Sequence, residues 1–153
     1  MPTPRGNDAS THCFVDADLA GNSVHMRIQT GILIFVNRAP IIWYSKIQNT
    51  VEVSTFGSDI TAMKNGIELI EALRYKLWMF GVPVDGATNI LCDNKEVTRN
   101  FSYSTPTLKK KHHSIAYHRN HEAVAAGTVC ITKEVTATNL SDLFTKSLGK
   151  HKR

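Results

Sequence analysis

The chain has 153 residues, of which 42% are hydrophobic, so it can form one domain with a core of its own. Lys and Arg number 18 against 13 Asp and Glu, which gives a formal net charge of +5 and favours a polyanionic partner. Three cysteines without paired spacing argue against a disulfide framework and predict buried, reduced thiols in an intracellular protein. No apolar run is long enough to span a bilayer, so no membrane partner is expected.

The amino-terminal part of the chain predicts a disordered segment followed by three strands. Residues 1–10 are polar and rich in Pro, Gly, Asn and Ser; the domain is expected at residues 11–149, before a basic tail at 150–153. The strands are the apolar, β-branched segments HCFVDA, TGILIFVN and IIWYSK. A turn at residues 38–40 would join the last two as an antiparallel hairpin.

A long helix is predicted over residues 58–80, because apolar residues recur there at helical spacing. Asp59 lies on the same stripe as Met63 and Ile70, which predicts that its side chain is buried near the start of the helix. Gly66 lies on this stripe too. Because Gly costs about 1 kcal/mol relative to Ala in a helix interior, we expect Gly66 to mark close packing on the sheet.

The remaining elements alternate between strands and helices. In chain order they are a strand NILC, a short helix at 94–101, a helix at 108–126, a strand TVCITKEV and a last helix that Thr138 or Asn139 caps and that extends through Leu148. The pattern predicts an α/β fold: a five-stranded mixed sheet whose first three strands are antiparallel, then a fourth and fifth strand, with helices packed on it. Four aromatic residues in these periodic segments are predicted to belong to the core: Trp43, Tyr44, Trp78 and Phe80.

Four acidic residues stand at the ends of otherwise apolar segments: Asp16, Asp59, Asp93 and Asp142. Acids so placed tend to converge at one rim of a sheet, where carboxylates repel one another unless a hard cation lies between them. Mg²⁺ prefers oxygen ligands, and two such ions roughly 3.5–4 Å apart can clamp the attacking and leaving oxygens of a phosphodiester. The pattern therefore predicts a metal-dependent nuclease site, with a helix cap or a turn as the alternative role of each Asp.

Two acids carry a specific alternative. Asp18 falls on the same side of the first strand as Asp16 if the strand extends that far, so it is either an outer group of the site or a turn residue. With Asn139 as N-cap, Asp142 would also stabilise the start of the last helix, and capping is compatible with metal binding.

The densest basic run comprises Lys109, Lys110, Lys111, His112 and His113. Such a run can contact a nucleic-acid backbone through sequence-independent, salt-sensitive bonds to phosphate. The alternative is a solvated helix start, although Lys at a helix N-terminus opposes the helix dipole. No Cys pair or HExxH spacing accompanies the histidines, so a zinc site is not expected.

The order of elements, with acids at these four points, resembles the ribonuclease H fold. The closer resemblance is to the ribonuclease H domain of copia-type LTR retrotransposon Pol polyproteins. The matching segments occur in family order and cover nearly the whole chain from Cys13 to Leu148: FVDADLAGN, TG, IIWYSKIQNTVEVST, ALRYKLWMFGVPVD, ILCDN, TLKKKH, IAYHR, EAVAAG and NLSDLFTKSL.

The resemblance implies a role for each acid. Asp16 matches the first-strand acid that bridges both metals, Asp93 matches the acid ending the fourth strand, and Asp142 matches the last acid, at the start of the C-terminal helix. Asp59 occupies the position of the family's helix glutamate and is one methylene shorter. These four residues would hold two Mg²⁺ or Mn²⁺ ions.

The implied activity is that of a ribonuclease H-type phosphodiester hydrolase, which cleaves the RNA strand of an RNA–DNA hybrid. Lys109, Lys110, Lys111 and His112 would contact the nucleic acid. The resemblance also implies a reverse transcriptase domain of the same polyprotein as a partner, and a cytoplasmic virus-like particle or the nucleus as the location. Because Asp59 replaces the family glutamate, the alternative is a catalytically impaired relic that keeps the fold and binds nucleic acid.

Overall fold

The computed structural model describes residues 6–18, 27–49, 54–102 and 111–145. Within them lie five strands, four α-helices and one 3₁₀ turn. In chain order these are β1 (Thr11–Asp18), β2 (Gln29–Val36), β3 (Ala39–Ile47), α1 (Thr55–Met79), β4 (Thr88–Cys92), α2 (Lys95–Ser102), α3 (Lys111–Ala125), β5 (Val129–Lys133), the 3₁₀ turn Thr136–Thr138 and α4 (Asp142–Thr145).

The five strands form one mixed sheet in the order β3-β2-β1-β4-β5. β1 pairs antiparallel with β2, and β2 with β3, whereas β1 with β4 and β4 with β5 are parallel pairs. The predicted fold class is therefore confirmed. Because β1 and β4 run in the same direction, their carboxyl ends meet at one edge of the sheet, which is where Asp16 and Asp93 lie.

The core lies between the sheet and helix α1. Met63, Ile67 and Ile70 are at most 1% exposed, in agreement with the predicted helical stripe. Gly66 lets α1 approach β1, since a Cβ atom at this position would lie 3.1 Å from Cγ2 of Val15. The close packing predicted at Gly66 is confirmed, and it holds the N-terminal half of α1 beside β1.

The hairpin turn is shifted from its predicted position at residues 38–40. It lies at residues 37–38, where Asn37 has φ 55°, while Ala39 and Pro40 already belong to β3. Asn adopts this left-handed conformation more readily than most residues. Pro40 is tolerated in β3 because an edge strand needs no complete set of ladder donors.

Three of the four aromatic residues predicted to be core are exposed. Trp43 is 66%, Trp78 44% and Phe80 75% exposed, and only Tyr44 packs against the core. Alternation along edge strand β3 turns Trp43 away from the face that Tyr44 shares with the core. Trp78 and the following Phe80 lie at the C-terminal end of α1, after the last buried residue of the helix at Leu73.

The thiol prediction is correct for Cys13 and Cys92, which are buried, and wrong for Cys130, which is exposed. On β5 the residue before it, Val129, faces the core, so alternation turns Cys130 outward. No disulfide joins these three residues.

The ends of the domain add detail to the predicted boundaries. Ala9, within the predicted lead-in 1–10, is 3% exposed and bonds to the backbone of Pro83 and Asp85. The regular helix α4 begins at Asp142, because the turn before it is closed by i→i−3 bonds from the Asp142 and Leu143 backbone N–H groups. The Asn139 side chain accepts the Ser141 backbone N–H, as expected of the predicted N-cap. Residues 146–148 of the predicted helix and the tail at 150–153 lie outside the described residues.

None of the helices in the described ranges is long and apolar enough to cross a membrane.

Candidate metal and nuclease site

Asp16 is the centre of the candidate site. Its neighbour Val15 faces α1, so strand alternation places the Asp16 side chain on the opposite face, where α4 covers it. Asp16 is 5% exposed, and its Oδ2 accepts a 2.5 Å hydrogen bond from Oγ1 of Thr145. Burying a carboxylate is unfavourable unless it is hydrogen-bonded or paired, and the Thr145 hydroxyl supplies one such bond.

Three of the four predicted acids converge on one point. Carboxylate oxygens of Asp16, Asp93 and Asp142 all lie within 4.8 Å of one another. Asp16 is buried, while the other two are partly exposed and leave the group open to solvent on one side. Three hard oxygen donors at this spacing suit Mg²⁺ or Mn²⁺, which take oxygen ligands and keep part of their water shell.

Asp59 lies beside this group and is not part of it. Its Oδ2 accepts a 2.7 Å hydrogen bond from Nδ2 of Asn94, the residue that follows Asp93. Asp59 nevertheless lines the same cleft of about 270 Å³ as Asp16 and Asp93. The structure therefore gathers all four predicted acids at the carboxyl ends of β1 and β4. Three of them form one group, and the fourth is bonded to the neighbouring amide of Asn94.

Burial controls the charge of Asp59. Desolvation raises the pKa of this carboxyl from 3.8 to about 7, and the charges of Asp16 and Asp93 act in the same direction. The hydrogen bond from Asn94 opposes the rise by stabilising the ionised form. Without a cation, burial thus favours the protonated form of Asp59 up to near-neutral pH.

Helix α4 lies close to the sheet at Gly31 and so places Asp142 at the site. Gly31 of β2 pairs with Asp16, and a Cβ atom on Gly31 would lie 2.7 Å from both the Ser141 carbonyl oxygen and Cγ2 of Thr145. Only a residue without a side chain lets α4 lie this close to the strand. The TG sequence preceding the second apolar run is the sequence signal for this position.

Polar side chains from the neighbouring strands fasten the same segment. The Phe144 carbonyl oxygen accepts bonds from Nε2 of Gln29 at 3.0 Å and from Oγ of Ser45 at 2.7 Å. The Nδ2 group of Asn139 donates to the Val15 carbonyl oxygen at 3.3 Å. These contacts from all three antiparallel strands fix the position of Asp142 relative to β1.

Sequence reasoning missed two residues of the site, Asn94 and Thr145. Asn94 directly follows Asp93, and its Oδ1 also accepts the Glu96 backbone N–H at 2.9 Å, so one side chain caps α2 and bonds Asp59. The sequence signal for Thr145 is its spacing of one helical turn after Asp142. Asp18, the fifth acid considered, ends β1 and lines the cleft.

The predicted nucleic-acid contacts lie largely beyond the described residues. Lys109 and Lys110 are outside them, and Lys111 and His112 form the start of α3, where the structure describes their backbone alone. His113, the next residue, is 6% exposed and therefore does not offer its ring to a ligand at the surface.

Solved structures of known function share the fold. LC11-RNase H1, solved in complex with an RNA/DNA hybrid, superposes with a TM-score of 0.67 at 12% identity, over 89% of this chain and 94% of that chain. The foamy viral protease-reverse transcriptase, also in complex with an RNA/DNA hybrid, superposes with a TM-score of 0.59 at 16% identity, over 94% of this chain and 21% of that chain. The chain therefore has the ribonuclease H fold.

The relatives found by sequence similarity are of one kind, Pol polyproteins of transposons. The Pol polyprotein from transposon RE2 of Arabidopsis thaliana is 26% identical over 146 residues, and that from transposon TNT 1-94 of Nicotiana tabacum is 29% identical over 151 residues. Both are retrovirus-related, and the alignments cover 95% and 96% of this chain. The predicted resemblance to transposon Pol polyproteins is confirmed. The chain spans about a tenth of their length, and no protein-family model matches it.

Proposed function

We propose that the chain is a metal-dependent endonuclease of the ribonuclease H type that cleaves the RNA strand of RNA–DNA hybrids. The observation that carries this proposal is the group formed by Asp16, Asp93 and Asp142 within 4.8 Å at the edge of a ribonuclease H sheet. The relatives of the chain among transposon Pol polyproteins support the same assignment.

The donor set fits divalent cations. Asp16, Asp93 and Asp142 would hold Mg²⁺ or Mn²⁺, because they offer oxygen atoms only and their mutual repulsion is relieved by a positive ion. Two bound ions would supply a more acidic water and a counter-charge for the leaving 3′ oxygen. Asp59, at the wall of the same cleft, would act next to them, and neighbouring positive charge would lower the pKa of its carboxyl.

Two observations support an RNA–DNA hybrid as the substrate: the positive charge of the chain and the hybrids bound to its structural neighbours. A formal net charge of +5, with several carboxylates gathered in one cleft, leaves a basic outer surface that attracts a phosphate backbone. Two structural neighbours were solved with an RNA/DNA hybrid bound. Selection of the hybrid would depend on duplex shape and contacts to 2′-hydroxyl groups in the minor groove. Lys109, Lys110, Lys111 and His112 are the proposed backbone contacts.

A reverse transcriptase of the same polyprotein is the proposed partner. The foamy viral neighbour is a protease-reverse transcriptase, and this fold accounts for 21% of that chain. The sequence relatives are polyproteins about ten times longer than the part that matches.

A second candidate is a catalytically impaired protein that keeps the fold and binds nucleic acid. The observation that favours it is the position of Asp59, which is bonded to Asn94 and lies outside the three-acid group. Binding of hybrid without cleavage would select this candidate.

The deciding experiment is cleavage of a hybrid labelled on its RNA strand, with Mg²⁺, Mn²⁺ or EDTA. We expect metal-dependent cleavage that is lost in Asp16→Asn and retained in the matched control Asp85→Asn. Asp85 is exposed and lies before β4, at the end of the strand opposite to Asp93. Absence of cleavage by the native chain with either metal would overturn the nuclease assignment.

A further inference from the structure

We propose that Thr145 is a positioning residue that orients Asp16 for cation binding, an inference that rests on the nuclease function proposed above. Thr145 would not touch substrate or metal. It would act through its hydroxyl group, which donates to the carboxylate at the centre of the three-acid group.

The hydrogen bond is shielded from water and joins two distant parts of the chain. Oγ1 of Thr145 lies 2.5 Å from Oδ2 of Asp16, and the two residues are 3% and 5% exposed. They are 129 residues apart in sequence. Because α4 holds the Thr145 hydroxyl at one carboxylate oxygen, the bond favours the rotamer of Asp16 that keeps this contact.

The geometry leaves the carboxylate able to bind a cation. An ionised carboxylate has about four lone-pair positions on its two oxygens, and the Thr145 hydroxyl occupies one of them at Oδ2. A carboxylate oxygen of Asp16 still lies within 4.8 Å of oxygens of Asp93 and Asp142, so the bond to Thr145 is compatible with a shared cation. Since the orientation of Asp16 is set in advance, cation binding need not order this side chain.

The methyl group of Thr145 has a separate role. Its Cγ2 packs directly over Gly31, so that a Cβ atom added to the glycine would lie only 2.7 Å from it. Thr145 also lies one helical turn after Asp142 in α4. One residue thus fixes both the distance of α4 from the sheet and the orientation of Asp16, through two different parts of its side chain.

Two substitutions separate these parts. Thr145→Val keeps the branched shape and removes the donor, whereas Thr145→Ser keeps the donor and removes the methyl group. If Thr145 were merely structural, Val should replace it with less loss than Ser, because Val keeps the methyl group that packs over Gly31. A residue that positions Asp16 should show the reverse order in cation affinity.

The experiment is a Mn²⁺ titration of each purified variant, with free Mn²⁺ measured by electron paramagnetic resonance, alongside hybrid cleavage. Partners outside the coordination sphere typically contribute 10–100-fold in metal affinity, so we expect Thr145→Val to weaken Mn²⁺ binding by roughly 10-fold or more and Thr145→Ser by about threefold at most. Thr132→Val is the matched control, since Thr132 is exposed on β5 and bonds Asn89 away from the site.

The outcomes distinguish the inference from the proposed function. If the native chain binds Mn²⁺ and cleaves hybrid while Thr145→Val matches it in affinity, the positioning role is overturned and the nuclease assignment stands. If Thr145→Val and Thr145→Ser lose affinity equally, the hydroxyl has no special part and the inference is overturned. If the native chain neither binds Mn²⁺ nor cleaves, the proposed function fails and the inference fails with it.

Discussion

Asn94 holds Asp59 through a 2.7 Å hydrogen bond from its Nδ2 group to Oδ2 of the carboxylate. The donor residue directly follows Asp93, a member of the three-acid group, so the same short segment supplies one acid and restrains another. The Oδ1 atom of Asn94 accepts the backbone N–H of Glu96 and thereby caps α2. A single amide thus links the buried acid of α1 to the end of β4.

Exchanging the two partners tests this link. Asn94→Asp keeps an acceptor for the α2 cap and replaces the donor facing Asp59 with a second carboxylate. We expect a loss of roughly 1–3 kcal/mol in the free energy of unfolding in EDTA, the usual cost of a buried polar group without its partner. The exchanged pair Asp59→Asn with Asn94→Asp restores one donor and one acceptor and should recover most of the loss in urea denaturation. Equal stability of the single variant and the exchanged pair would contradict this role.

Asp59→Glu should raise the rate of hybrid cleavage. The added methylene extends the carboxylate by about one C–C bond, roughly 1.5 Å, toward the place where a glutamate would reach. A misplacement near 1 Å can cost on the order of 10²-fold in rate, so a gain of about 10-fold or more is expected. The measurement is single-turnover cleavage by the native chain, Asp59→Glu and Asp59→Asn. If the native and Asn forms are equally active and Glu adds nothing, position 59 has no part in the reaction.

The raised pKa of Asp59 predicts a stability that falls with pH. In the unfolded chain this carboxyl ionises near 3.8, whereas burial keeps it protonated in the folded protein up to about 7. Between these values the folded state binds the extra proton, so the stability that Asp59 contributes below about pH 4 is lost as the pH rises to about 7. Asp59→Asn should flatten the curve and gain roughly a few kcal/mol relative to the native chain at pH 8. The check is chemical denaturation in EDTA from pH 4 to 8; parallel curves for the two proteins would refute it.

Gly31→Ala should disrupt the site more than Gly66→Ala. At Gly31 the new Cβ atom would lie 2.7 Å from the Ser141 carbonyl oxygen and from Thr145, so α4 must move away from β2. At Gly66 the nearest atom is a side-chain methyl of Val15 at 3.1 Å, and Ala gains helix propensity of about 1 kcal/mol. We expect Gly31→Ala to cost roughly 1–3 kcal/mol in stability and to weaken Mn²⁺ binding. Mn²⁺ affinity unchanged in Gly31→Ala would show that α4 need not lie this close.

Replacing Lys109, Lys110 and Lys111 with Ala should weaken hybrid binding without altering the chemical step. Binding then neutralises fewer phosphates and releases fewer counterions, so the slope of log K against log salt should become shallower. The expected change is about 0.9 for each phosphate on a B-form duplex, with a similar trend on a hybrid. The measurement is hybrid binding in EDTA across a series of salt concentrations, with the saturated cleavage rate as the control. An unchanged slope would place this run away from the nucleic acid.

The element order and the buried stripe of α1 follow from the sequence alone, because side-chain direction repeats with a period set by local backbone geometry. The position of Asp16 near the end of β1 and of Asp93 just after β4 follows for the same reason, as does the burial of Asp59 beside Met63. Periodicity identifies the two faces of an element without saying how far a neighbouring element covers them. That is why periodicity predicts a buried Trp43, whereas this residue lies exposed on an edge strand.

Partners distant in sequence were decided by tertiary structure. The bond from Thr145 to Asp16 spans 129 residues, and the bond from Asn94 to Asp59 spans 35. Both bonds depend on close packing of helices on the sheet. Gly31 allows α4 to pack closely on β2, and Gly66 allows α1 to pack closely on β1. A hydrogen bond forms only within a few tenths of an ångström of its optimal length. Sequence spacing specifies which face a residue occupies, and only the packed backbone places two atoms within that distance.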